Sequence, residues 1–156
     1  METWQFDSPT NRSKSAGVKS STMMKRAKMK KMIIDSKEIA PPIGPYSSAV
    51  MKGNFIFVSG TVGRDKDGKI VGTNDIRLQT RKTFQNIKAL LEQVGATMDD
   101  IVKVTVFLKD SKDYEEMNKI RAEYFPKEAP ASSAVVIKDF VTPGLLVEIE
   151  AIAIKD

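Results

Sequence analysis

Apolar residues along this chain recur in two periods, and each change of period marks an element. SSAVMKGNFIFVSG alternates apolar with small or polar positions on either side of Gly53-Asn54, which predicts two short strands joined by a tight turn. In RDKDGKIVG, Asp67-Gly68 is a second turn signal ahead of a short third strand. The period then lengthens. Phe84, Ile87, Leu91 and Val94 fall on one stripe, so a helix is expected with Thr73 or Asn74 as its N-cap and Gly95 just past its end. DIVKVTVFLKD returns to period two, with Val102, Val104, Val106 and Leu108 facing away from Lys103, Thr105, Phe107 and Lys109. Asp113, with Glu116 as its capping-box partner, opens a second helix that carries Met117, Ile120 and Tyr124 inward and stops at Pro126. Two strands, 132–137 and 145–154, follow across the loop KDFVTPG.

Three strands, a helix, a strand, a helix and two strands make an α+β domain in which two helices cover one face of a mixed sheet. Two helices leave the other face bare. Strands rich in Val and Ile cannot stay exposed without risk of edge and face aggregation, so the expected cover is another copy of the chain.

Composition changes this picture in two places. The net charge of +5 is confined to the first 32 residues, where eight Lys/Arg stand against Glu2 and Asp7; the rest holds 17 basic and 18 acidic residues. Residues 1–32 are therefore expected to be a disordered basic extension before a domain at 33–156. Three readings of that extension stay open: an organellar presequence, a solvated arm for anionic partners, and a non-native or mis-called start. The chain also lacks cysteine and histidine. That excludes disulfides, thiolate and Ser-His nucleophiles and the usual zinc sites, and leaves carboxylates, hydroxyls, amines and guanidiniums to do any chemistry. No metal or cofactor is expected, and no apolar run approaches the roughly 18 residues of a membrane span.

The last strand, LLVEIEAIAI, places Val147, Ile149, Ala151 and Ala153 on one face and Glu148, Glu150, Ile152 and Ile154 on the other. Two glutamates amid apolar neighbours are unfavourable unless exposed, paired or used. A partly buried one would have its pKa raised into a range suited to proton handling. Gly44-Pro45-Tyr46 is a rigid turn that delivers an aromatic hydroxyl, and Ser59-Gly60 ends a strand where a ligand or another backbone can approach closely. Taken singly, each admits a plainer role as a structural tyrosine or a turn. Asn118 taken alone would face solvent.

In combination, GPYS, VSG, DIVKVTVFLKD, YEEMNKIRAEYF, APASSAV and VEIEAIA, in this order and spacing, resemble the RidA (YjgF) family of reactive enamine/imine deaminases across residues 39–155. The resemblance implies a chorismate-mutase-like fold and a homotrimer with a barrel-like core and a cleft at each subunit interface. It implies a reaction in which water attacks the imine carbon of 2-aminoacrylate or 2-aminocrotonate tautomers, giving a 2-keto acid and ammonia. It also implies that Glu148 positions the water, that Tyr46, Ser59, Gly60 and the backbone at Ala134 line the substrate pocket, and that Asn118 lies beside it.

Ser132 breaks the pattern. The resemblance places there an arginine that would grip the substrate carboxylate, whereas a serine offers one neutral hydrogen bond and no charge. A weakened or retuned deaminase is expected, with Ser132→Arg restoring the anchor; the alternative is a trimer that binds a small metabolite in the same cleft without turnover. Arg121 and Lys138 are the nearby cations that could replace the lost charge. An RNA-cleaving or translation-inhibiting role draws little support from a body with balanced charge and no histidine. A cytoplasmic location is expected.

Overall fold

The computed structural model describes residues 30–156. Its elements are β1 (Met32–Ile34), β2 (Ala49–Lys52), β3 (Phe55–Val62), α1 (Ile76–Glu92), β4 (Ile101–Leu108), α2 (Tyr114–Tyr124), β5 (Ala131–Val136) and β6 (Val147–Ile154). One sheet holds all six strands in the order β1-β2-β3-β6-β4-β5. Every neighbouring pair is antiparallel except β4 and β5, which α2 connects as a parallel crossover. This is the α+β mixed sheet with two helices that the sequence pattern predicts.

Two strand expectations need correcting. After Asp67-Gly68 there is no third strand but a single bridge between Arg64 and Ile70; Val71 N still donates to Gly63 O at 2.8 Å, and the chain then turns at Gly72, φ 74°. A strand that periodicity did not reveal lies at Met32, where the basic extension was expected to end; it exists because Met32, Ile33 and Ile34 find partners in Met51, Val50 and Ala49. The remainder of the extension, 1–29, lies outside the described residues.

Both helices begin differently from expectation. Asn74 takes a left-handed φ of 62°, which leaves extended Asp75 as the N-cap of α1, its carboxylate accepting from Leu78 N at 3.0 Å. Gly95, at φ 68°, ends the segment as anticipated. Asp113 stands at the N-cap of α2 but makes no side-chain cap bond. Its expected capping-box partner, Glu116, is drawn instead to Arg77 of α1 at 2.8 Å and to Lys119.

The core lies between the helices and one sheet face. Phe84, Ile87, Leu90 and Leu91 of α1 and Met117 of α2 are fully buried against Ile56, Val104, Val106, Val147 and Ile149, and Ile120 of α2 is fully buried as well. Phe84 stacks on Tyr124 at 4.8 Å and meets Phe125 edge-on at 5.7 Å, joining the middle of α1 to the C-terminal end of α2. Val94 is only partly buried. In β4 the register against β6 slips between Ile101 and Lys103, so Ile101 takes the core position and Val102 is 43% exposed, against the expectation that it shares the face of Val104.

The opposite face carries cross-strand rows of Phe55 with Ile154, Phe57 with Ile152, and Phe107 with Glu148. Phe55 and Phe57 are each nearly half exposed, and every residue of the edge strand β5 is exposed in the single chain.

Candidate functional site

Glu148 sits in the middle of the sheet, between Val62 of β3 and Phe107 of β4, on the face away from the helices. Its position follows from the alternation of β6, which buries Val147 and Ile149 and turns the intervening glutamate the other way. Where β3 passes it, the ladder slips: between the pairs Val58 with Ala151 and Thr61 with Ile149, two residues of β3, Ser59 and Gly60, stand opposite Glu150 alone. This bulge brings Gly60 beneath the glutamate. A Cβ on Gly60 would lie 2.0 Å from Glu148 Oε1, so the missing side chain is what lets the carboxyl lie over the strand.

Ser59 holds the bulge in place. Its N–H donates to Ser48 O at 3.0 Å and its hydroxyl to Ser47 O at 2.8 Å, tying it to the segment that follows Tyr46. Tyr46 is set by the tight turn in which its N–H donates to Gly44 O at 2.8 Å, and its ring is half exposed. Tyr46, Ser59, Gly60 and Glu148 share one cleft of about 560 Å³. Burial pushes the Glu148 carboxyl above the ordinary carboxylate range, and the negative charge of Glu150 adds to the effect. None of the ion pairs among the described residues involves Glu148.

The cleft has further walls that sequence reasoning missed. Arg64 lines it, donating from Nη2 to Thr142 Oγ1 at 2.7 Å, while its buried Nε has no partner among the described residues. Buried Gln79 donates to Gly144 O at 2.9 Å and accepts from Leu146 N at 2.8 Å, pinning the chain just ahead of β6 to α1. Asn86 likewise donates to Val62 O at 3.0 Å and Arg64 O at 2.9 Å, holding the exit of β3. In the sequence these residues look like the polar face of a helix, and only the buried backbone carbonyls they satisfy reveal their role.

Asn118 and Ser132 are not in this cleft. Ser132 pairs with Val104, a core position, and so faces the helices, whereas Glu148 faces away from them. Ser132 lines a separate recess of about 200 Å³ with Asn118, Arg121, Phe125 and Pro130. There Arg121 donates from Nη1 to Ser132 Oγ at 2.6 Å and from Nη2 to Asn118 Oδ1. Asn118, expected in isolation to be a solvated helix residue, is instead half-buried and bonded. Ala134, opposite Val106 on the exposed edge strand, is not among the residues lining the Glu148 cleft. Within one chain the expected site is therefore two half-sites on opposite faces of the sheet.

Comparison with known proteins bears on what these halves are for. A RutC family protein of Pyrococcus abyssi is 44% identical over 128 residues, covering 82% of this chain and 100% of its own length. The 3-aminoacrylate deaminase RutC of Acinetobacter baylyi is 36% identical over 125 residues, covering 80% of this chain and 98% of its own. Among solved structures, E. coli TdcF with bound serine superposes with a TM-score of 0.75 at 30% identity, covering 80% of this chain and 99% of that one. The family model described as endoribonuclease L-PSP matches residues 37–155, nearly all of the described chain, and the protein therefore belongs to that family, which the RutC and Rid proteins share.

Proposed function

We propose that the protein is a deaminase of small enamine and imine carboxylates, with Glu148 as its proton-handling group. The observation that carries this reading is the Glu148 carboxyl itself: half-buried, raised in pKa, outside every ion pair of the described residues and lining a cleft where Gly60 of the bulge, with no side chain, leaves it room. A carboxyl in that state holds a proton more readily than a solvated glutamate, which suits a group that takes one up and gives it back.

The reaction takes a 2-imino acid and water to a 2-keto acid and ammonia. Ionised Glu148 orients the water and accepts one of its protons as the oxygen bonds to the imine carbon. The proton passes to nitrogen, giving an aminoalcohol; Glu148 then takes the hydroxyl proton and delivers it to the same nitrogen, so that the C–N bond breaks with ammonia leaving as the carbonyl forms. Tyr46 would pack against the substrate, and the backbone at Ser59-Gly60 would set how near it comes to the carboxyl. The 3-aminoacrylate deaminase among the relatives supports this class of reaction, and the serine bound to TdcF supports a small, polar, carboxylate-bearing ligand.

The assembly we propose is a homotrimer around a barrel-like core. Its supports are the half-exposed Phe55 and Phe57 and the uncovered edge of β5, surfaces that in a lone chain would invite uncontrolled association. In such an assembly the Ser132 recess of one copy would abut the Glu148 cleft of its neighbour.

The test is a coupled assay in which an amino-acid dehydratase supplies the imine and keto-acid release is followed. The protein should accelerate release, and Glu148→Gln should lower that acceleration about 100- to 10,000-fold while Glu150→Gln retains most of it. Keto acid appearing no faster with the protein than without it would reject deamination in favour of a metabolite-binding trimer.

A further inference from the structure

Arg121 is the one arginine of the two helices whose charge is not matched by a carboxylate among the described residues. Arg77 is paired with Glu116 at 2.8 Å, and Arg81 holds Glu123 through two bonds of 2.5 and 2.9 Å. The guanidinium of Arg121 instead meets two neutral oxygens, Ser132 Oγ and Asn118 Oδ1. A guanidinium has five N–H donors, so about three remain unspent. Both of its partners are acceptors that orient the group without neutralising it.

The surroundings suit an anion. The recess beside Arg121 is walled by Val104 and Phe125 and kept open by small residues, Ala122 and Ala129. Its volume, about 200 Å³, is that of six or seven waters at roughly 30 Å³ each. That accommodates a carboxylate and a few carbons. Of the acids on α2, Glu116 is already engaged by Arg77 and Lys119, and Glu123 by Arg81.

We propose that Arg121, steadied by Ser132 and Asn118, binds the carboxylate of the small acid on which the protein acts. The assignment rests on the deaminase reading and names the residue that anchors its substrate. The charge that Ser132 lacks is then supplied from α2, the neighbouring element, and Ser132 becomes the acceptor that aims it. Fixed in this way, the guanidinium loses little freedom when a carboxylate arrives, and the two-pronged contact discriminates against neutral analogues. Ser132→Arg, expected from the sequence to restore an anchor, would place a second cation against the first and is now expected to weaken binding.

Calorimetric titration of the intact protein with 2-oxobutanoate and with its neutral amide tests this directly. Arg121→Met should bind 2-oxobutanoate about 10- to 100-fold more weakly than wild type and the amide equally well, with Arg121→Lys between the two. Unchanged circular dichroism and assembled mass check that each variant is folded. The inference is overturned if wild-type protein does not distinguish the acid from its amide, or if folded Arg121→Met binds the acid within twofold of wild type. Failure of the deaminase reading looks different: the acid would bind in an Arg121-dependent way while imine hydrolysis stays at the uncatalysed rate. In that case the anion site stands and the reaction falls.

Discussion

Replacing Gly60 with alanine should silence the protein without unfolding it. The added methyl carbon would lie 2.0 Å from Glu148 Oε1, 2.7 Å from its Cδ and 3.2 Å from its Cγ. Non-bonded carbons and oxygens settle at about 3.5 Å, so the carboxyl must retreat by about 1 to 1.5 Å or swing to another rotamer. A misplacement of about 1 Å between a catalytic group and its target lowers rates on the order of 100-fold, or about 2.7 kcal/mol in the barrier. The fold should survive because the obstacle is the far end of a side chain. Gly60 is also not among the glycines with positive φ, so an alanine fits the backbone there and its smaller unfolded-state entropy offsets about 0.4 to 1 kcal/mol of any strain. The dehydratase-coupled assay would read the rate and a thermal melt the stability. A Gly60→Ala variant that melts with wild type and keeps a rate within threefold of it would refute the claim that the bulge exists to seat Glu148.

Glu148→Gln should be more stable than wild type at pH 7. The folded-state pKa of Glu148 is raised, so its favourable proton uptake is fully present below the unfolded pKa of about 4.3 and is lost as pH rises through the folded value. Glutamine never ionises, so melts of the two proteins should converge near pH 4 and diverge towards neutrality; parallel curves would contradict the shift. Asp75→Ala removes the side-chain cap of α1 and should lower unfolding free energy by about 1 kcal/mol in urea titrations, and no change would mean that the bond to Leu78 contributes nothing. Light scattering should give three times the chain mass, and Phe57→Lys, which charges the open sheet face, should shift the protein towards monomer; a monodisperse monomer in both cases would end the assembly proposal.

What the sequence revealed follows from how local the determinants are. The faces of β6 were legible because strand alternation is set residue by residue, and Glu148 accordingly lies on the face expected; Ser59-Gly60, expected to end a strand, form instead a bulge inside β3, which runs on to Val62. Val102 was not, because one slipped residue against β6 inverts the face and no pattern inside β4 records it. β1 was invisible for a similar reason: three residues beside a basic stretch become a strand only through β2. The start of α1 was displaced by a single left-handed residue, Asn74. Tyr46, Ser59, Gly60 and Glu148 met as expected, since adjacent strands bring them together. Ser132 and Asn118 went elsewhere because the crossover through α2 decides which face β5 presents, and that choice is tertiary. Arg121 was legible as one of two cations that could replace the missing charge, and its neutral partners, where Arg77 and Arg81 have carboxylates, single it out.

The sheet that separates Glu148 from Ser132 within one chain has a genetic consequence. If each working site draws its proton-handling half from one copy and its anchoring half from the next, then two dead alleles can rescue each other. Chains bearing Glu148→Gln and chains bearing Arg121→Met, each impaired alone, would on random co-assembly in equal amounts form about a quarter of their sites from two intact halves. A chain carrying both changes would rescue neither, and in excess would act as a dominant poison on the wild type.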